Sequence, residues 1–172
     1  PIRRVMIGGG GNIGRRLAMA IEGRYEVKII ERGKTGAERL AAELDKSLVL
    51  TGDVTDEAQC RKLVEETVAR LGRLDILVNN AGINIRKPPH ELSLAEWHAV
   101  LETNLTSTFL ASHAAYPHMR NGGGGKIVNI GSLMSIFGAS FAPAYAASKG
   151  GIVQFSKVCA SAWAKDNIQV NA

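Results

Sequence analysis

Short apolar runs alternate along the chain with longer segments of helical period. Val5-Met6-Ile7, Val27-Lys28-Ile29-Ile30, Leu48-Val49-Leu50, Ile76-Leu77-Val78, Ile127-Val128-Asn129-Ile130 and Ile168-Gln169-Val170 are brief, mostly β-branched or leucine-rich, and bounded by Gly, Asp or Asn. That pattern predicts six strands. Their near-continuous apolarity is that of strands covered on both faces. Between them, helical spacing predicts helices over 12–22, 37–44, 57–71, 94–120 and 144–165. Thr35 with Glu38, and Ser93 with Glu96, have the spacing of capping boxes, and Asn121-Gly122 marks a helix stop. Strand and helix in unbroken alternation mean parallel strands with right-handed crossovers. The expected fold class is α/β: one domain over residues 1–172, a doubly wound parallel six-stranded sheet of order 3-2-1-4-5-6, in three layers.

The length of 172 residues suits one domain. With 45% apolar and 22% charged residues, composition excludes an intrinsically disordered chain. No apolar run approaches the roughly 20 residues of a bilayer span, so no membrane partner is expected. The opening Pro-Ile-Arg-Arg-Val-Met-Ile runs straight into glycines and reads as a first strand, not a signal peptide. Cys60 and Cys159 stand far apart, and His90, His98, His113 and His118 are scattered, so neither a disulfide framework nor a metal site is expected. A reducing cytoplasm fits this usage. The net charge of +5 is spread along the chain, and aromatics are only 5%. Without a basic stripe or interleaved aromatics, nucleic acid is not an expected partner.

Glycine is the outlier, and it points to a ligand. After the first strand comes Gly8-Gly9-Gly10-Gly11-Asn12-Ile13-Gly14, containing G-x-G-x-x-G as Gly9, Gly11 and Gly14. The first glycine permits the tight strand-to-helix turn, the second lets a pyrophosphate approach bare backbone, and the third lets helix and strand pack closely. Free N–H groups at the helix start then face the anion. Seventeen residues past Gly14, Glu31 ends the second strand and would accept the adenosine ribose hydroxyls, favouring NAD over NADP. Arg32 beside it could instead pair with a 2′-phosphate. Asp53-Val54, ending the third strand, either border the adenine or simply cap a turn. These features describe a Rossmann fold that binds a dinucleotide.

Two resemblances follow from longer motifs. Arg3-Arg4-Val5-Met6-Ile7, the loop with Asn12-Ile13-Gly14, and Val27-Lys28-Ile29-Ile30-Glu31-Arg32 resemble the NAD-binding (RCK/KTN) domain of the bacterial Trk potassium-uptake regulators over residues 1 to about 50. From about 51 on, Gly52-Asp53-Val54-Thr55-Asp56, Leu74-Asp75-Ile76-Leu77-Val78-Asn79-Asn80-Ala81-Gly82, Asn104, Ser132 and Tyr145-Ala146-Ala147-Ser148-Lys149 resemble classical short-chain dehydrogenases/reductases. Asn84-Ile85-Arg86-Lys87-Pro88-Pro89 and residues 131–147 look most like the gluconate or deoxygluconate dehydrogenases. The dehydrogenases open with T-G-x-x-x-G-x-G, and here no threonine follows the first strand. The expectation is therefore a recombined or engineered chimera, joined near residues 50–55.

Tyr145 and Lys149, four apart, share one helix face, and an ammonium near a phenol favours the charged form that proton transfer needs. The resemblance implies Tyr145 as acid/base, Ser132 holding the substrate oxygen, Lys149 also on the nicotinamide ribose, and Asn104 sustaining a proton-relay water. It implies that Asn80, Ala81 and Gly82 pass beneath the cofactor. Met134, Phe137 and Phe141 either line a substrate pocket or fill core. The resembled enzymes continue past the position of Val170-Asn171-Ala172 into a Pro-Gly segment, a lid and a seventh strand. The expected function is thus NAD(H) binding with little or no turnover. The alternatives are an active NAD-dependent dehydrogenase on a sugar acid or polyol, or a folding scaffold that binds nothing. A homodimer through helices 94–120 and 144–165 is expected, with Ala146, Ala147, Gly150 and Gly151 allowing close approach.

Overall fold

The computed structural model describes residues 3–172. Six strands form one parallel sheet: β1 (Arg4–Gly8), β2 (Glu26–Glu31), β3 (Leu48–Thr51), β4 (Ile76–Asn79), β5 (Gly125–Asn129) and β6 (Ile168–Asn171), in the order 3-2-1-4-5-6. The connections are α1 (Asn12–Ile21), α2 (Lys34–Glu43), α3 (Glu57–Leu71), α4 (Leu94–Leu101), α5 (Ser107–Asn121) and α6 (Pro143–Trp163). Central β1 is buried on both sides because its apolar side chains feed two separate cores. Val5 and Ile7 pack with Ala18 and Leu40 beneath α1 and α2. Met6 packs with Leu63, Ala115 and Met119 beneath α3 and α5. At β6 the covering is one-sided: Ile168 and Val170 are buried while Gln169 and Asn171 are exposed.

The structure corrects two helix expectations. The Thr35–Glu38 box does not form, because α2 starts earlier, at Lys34, with Gly33 as an N-cap that has no side-chain bond. The Glu31 carboxylate accepts the Gly33 N–H at 3.2 Å and sets the turn there, leaving Thr35 inside the helix. The predicted helix over 94–120 is interrupted by a π turn at Glu102–Thr106, where the Ser107 N–H reaches back to the Glu102 carbonyl. Such single-turn bulges cluster at functional sites. The Ser93–Glu96 box does form.

Two buried charges act on the frame. Asp75 accepts the backbone N–H groups of Arg3 and Arg4, each at 3.0 Å, which pins the start of β1 beside β4. Burial works to raise its pKa, but those amides and the adjacent Arg73 guanidinium outweigh it and hold the carboxyl below its ordinary value. Lys28 is fully buried in β2 and donates to the Glu66 carbonyl at 3.1 Å. Burial, then the charge of Arg70, push its pKa down to about 8 against the pull of Glu66. The protonated form thus costs the native state stability below about pH 8. Stability rises as pH climbs from there toward the unfolded lysine value near about 10.4.

A buried polar chain locks the carboxyl ends of β4 and β5, from which the functional loops spring. Asn79 Nδ2 donates to Asn129 Oδ1 (2.8 Å) and Ser112 Oγ (3.0 Å), and Asn129 Nδ2 donates to Ser156 Oγ (2.8 Å). Four elements, β4, β5, α5 and α6, are so held in register. Fully satisfied networks of this kind specify one arrangement of their elements.

Candidate active site

The loop between β1 and α1 is built on two glycines that no other residue can replace. Gly9 has φ +105°, and a Cβ there would lie 2.7 Å from the Ala81 nitrogen. At Gly14 a Cβ would meet the Gly9 carbonyl oxygen at 2.0 Å, so the helix packs onto the loop only without one. Gly11 differs: a Cβ there would face open space. It caps the start of α1 on the mouth of a cleft of about 370 Å³. Of the residues the sequence marks for cofactor binding, Gly9, Gly11, Asn12, Ile13, Glu31, Arg32, Asp53, Val54, Asn80, Ala81 and Gly82 line that cleft. Gly14 lies behind them and acts through packing.

At one end, Glu31 turns its carboxylate toward the glycine loop, where a Cβ on Gly10 would sit 2.8 Å from Oε2. Arg32 is exposed and lies 3.9 Å from the Asp53 carboxylate. Asp53 lines the cleft, and it caps a turn by accepting the Thr55 N–H (2.9 Å) and hydroxyl (2.7 Å). In the middle, Asn80 Nδ2 donates to the Gly9 carbonyl at 2.9 Å, tying the loops after β1 and β4 together. Thr103 and Thr55 also line this cleft, and sequence reasoning missed both.

A second cleft of about 420 Å³ shares Ile13, Asn80, Gly82 and Ile83 with the first and continues it. Ser132, Tyr145 and Lys149 face it together, with Met134 and Arg86. Ser132 leaves the end of β5, and its Oγ accepts the Met134 N–H at 3.2 Å. Lys149 is buried on α6. Its Nζ donates to the Ile130 carbonyl at 2.6 Å and lies 5.5 Å from the Tyr145 ring centroid. Burial pushes the pKa of this ammonium below its ordinary value. The cluster thus sets a hydroxyl, a phenol and a cation around one opening.

Asn104 sits fully buried in the π turn, next to that opening. Its Oδ1 accepts the Ile83 N–H (2.8 Å), and its Nδ2 donates to the Ile83 carbonyl (3.0 Å) and Ser148 Oγ (3.0 Å). The side chain is spent on holding the segment that forms the shared wall of both clefts. Phe137 and Phe141 do not fill core, being 66% and 43% exposed, and Arg86 lies over the Phe141 ring at 5.6 Å. Sequence reasoning gave Arg86 no role in the site. Among the described residues no group of His, Cys, Asp and Glu has the placement of a metal site, and no helix is long and apolar enough to cross a membrane.

A family model described as short chain dehydrogenase matches residues 4–172. The chain is 41% identical over 147 residues to the 2-dehydro-3-deoxy-D-gluconate 5-dehydrogenase of Dickeya dadantii (strain 3937), a match covering 85% of this chain and 58% of the relative. It is 36% identical to the D-threitol dehydrogenase of Mycolicibacterium smegmatis, covering 97% of this chain and 66% of that enzyme. A crystal structure of a gluconate 5-dehydrogenase from Burkholderia cenocepacia J2315, in complex with NADP and tartrate, superposes with a TM-score of 0.90 at 35% identity, covering 98% of this chain and 69% of that one. The chain therefore spans a little under three fifths of the deoxygluconate relative's length.

The expectation of two parents joined near residues 50–55 is corrected by these findings. One family model runs through that point, and nothing in the comparisons supports a Trk-regulator segment. The misreading has a physical cause. A positive-φ turn, an open mouth and a close helix approach are demands of any dinucleotide loop, so their glycine spacing does not separate families. With Gly14 set as the last glycine of T-G-x-x-x-G-x-G, the threonine falls on Ile7 and the middle glycine on Asn12. From the glycine loop through the Asn80–Gly82 turn to Tyr145 and Lys149, the chain belongs to the short-chain dehydrogenase family.

Proposed function

We propose that the chain is an NAD-dependent dehydrogenase that oxidises a secondary hydroxyl of a sugar acid or polyol. The observation that carries this reading is the convergence of Ser132, Tyr145 and Lys149 on a cleft continuous with the dinucleotide groove. That convergence favours turnover over binding alone or an inert scaffold, neither of which calls for it. The groove fits a dinucleotide because open space at Gly11 admits a diphosphate to bare backbone at the start of α1. When bound, the nicotinamide supplies the acceptor for the hydride that leaves the substrate carbon.

The chain's own residues do the rest. Ser132 donates to the substrate oxygen, and Tyr145 takes the hydroxyl proton as the carbonyl forms. Lys149 holds positive charge beside the phenol and is set in place by the Ile130 carbonyl. Asn104 holds Ile83 and with it the floor of the groove. Arg86, in the cleft and steadied on Phe141, offers a guanidinium to a carboxylate. That favours a sugar acid, as named for the Dickeya relative, over a neutral polyol, as named for the Mycolicibacterium one.

We assign the cofactor as NAD. Glu31 presents a carboxylate at the end of the groove, which accepts ribose hydroxyls and repels a 2′-phosphate. Calorimetric titration is expected to give saturable NAD binding with NADP at least about tenfold weaker. Glu31→Ala should bring the two affinities within about threefold of each other. Equal affinities in the parent would defeat the assignment, and a flat titration with both would defeat the function.

We also propose a homodimer through α5 and α6. Phe109 on α5 and Val158 on α6 are 46% and 65% exposed, with His113 and Phe155 packed against Phe109. Of the small residues expected at the interface, the two glycines face inward, where a Cβ on Gly151 would meet Leu105 at 2.8 Å and one on Gly150 would lie 3.8 Å from the Ser135 carbonyl, while Ala147 is exposed. Light scattering is expected to return twice the chain mass; a single chain mass at high concentration would remove the proposal.

A further inference from the structure

Ser132 and Lys149 come from different elements, and one hydroxyl outside the expected site joins them. Ser135 closes the short 3₁₀ turn Leu133–Ser135. Its Oγ accepts the Ser132 N–H at 3.2 Å and donates to the Lys149 carbonyl at 2.9 Å. Lys149 in turn reaches back through Nζ to the Ile130 carbonyl. The path from Ile130 through Gly131 and Ser132 to Ser135, across to Lys149 and back to Ile130 is therefore a closed ring with two polar links. Burial does not hold this turn, because Leu133 and Ile136 are each 79% exposed. The polar links do.

We propose that Ser135 is a positioning residue that fixes the distance between Ser132 and Lys149 by bridging the turn after β5 to α6; the role rests on the dehydrogenase reading above. Without the hydroxyl, the Ser132 N–H loses its partner. The Lys149 side chain then restrains only the far end of the turn. The Ser132 hydroxyl drifts, and a displacement of about 1 Å costs on the order of a hundredfold in rate. The glycine loop and Glu31 are unaltered and Lys149 Nζ keeps its bond to the Ile130 carbonyl, so cofactor affinity changes little. Ser135→Thr keeps the bridging oxygen, while Ser135→Ala removes it.

The test pairs kinetics with amide exchange on the parent, Ser135→Ala and Ser135→Thr. Turnover is followed by NADH formation with D-gluconate and threitol, and exchange is read at the Ser132 N–H. Ser135→Ala is expected to lower kcat about 10- to 100-fold, leave the Kd for NADH within about twofold, and speed Ser132 exchange at least about tenfold. Ser135→Thr should restore all three. A kcat within about twofold of an active parent overturns the proposal, as does unchanged exchange. A parent without turnover overturns the dehydrogenase reading and this role with it, and the exchange rates still tell whether the bridge exists.

Discussion

Tyr145→Phe is expected to lower kcat by about 10²–10⁴, the range that a positioned general acid or base supplies. The substitution keeps the ring that faces Lys149 and removes only the oxygen. Folding stability should stay within about 0.5 kcal/mol of the parent. The Kd for NADH should change by less than about threefold, because the groove's loop residues are unaltered. The signature is thus a loss confined to turnover, read as NADH absorbance growth on a sugar acid or polyol. Activity within about tenfold of an active parent would show that another group moves the proton.

Gly11→Asp is expected to separate binding from stability. Gly11 precedes α1 with φ −61° and ψ −176°, an ordinary extended conformation, and a Cβ there meets nothing within 4 Å. Aspartate is moreover among the best N-cap residues, worth roughly a few tenths of a kcal/mol of helix stability over glycine. The fold should therefore survive or gain slightly in a thermal melt. The new carboxylate would stand at the cleft mouth where the diphosphate must lie. Like charges about 4 Å apart repel by about 4 kcal/mol at an effective dielectric of 20, so NAD affinity should fall on the order of 100- to 1,000-fold. Retained affinity in calorimetry would sink the glycine-loop assignment, since the fold cannot be blamed. At Gly14 no such separation is available, because a Cβ 2.0 Å from the Gly9 carbonyl damages loop and groove together.

Much of this site is legible because it rests on local rules. The i, i+4 spacing of Tyr145 and Lys149 places them on one face of α6, and the glycines after β1 declare a tight turn and a close approach. Glu31 is readable as the end of an apolar run. Other features leave no local trace. A one-residue π bulge barely disturbs hydrophobic periodicity, so the segment 94–120 reads as one helix although Asn104 turns inward within it. Its partner Ile83 is 21 residues away. Ser135 reads as one more small polar residue in a loop, and its bridge to Lys149 exists only once α6 returns beside β5. Arg86 reads as a loop cation until the fold brings the Phe141 ring, 55 residues on, beneath it.

By itself, the order of apolar runs and helical segments determined a parallel sheet of order 3-2-1-4-5-6, because right-handed crossovers leave few other paths. It also determined which residue types stand at the carboxyl ends of the strands. Tertiary structure alone decided which of them meet. Hydrogen bonds act over about 3 Å, whereas Ser132, Lys149, Asn104 and Ile83 belong to four separate segments, so only packing of the whole chain brings them within reach.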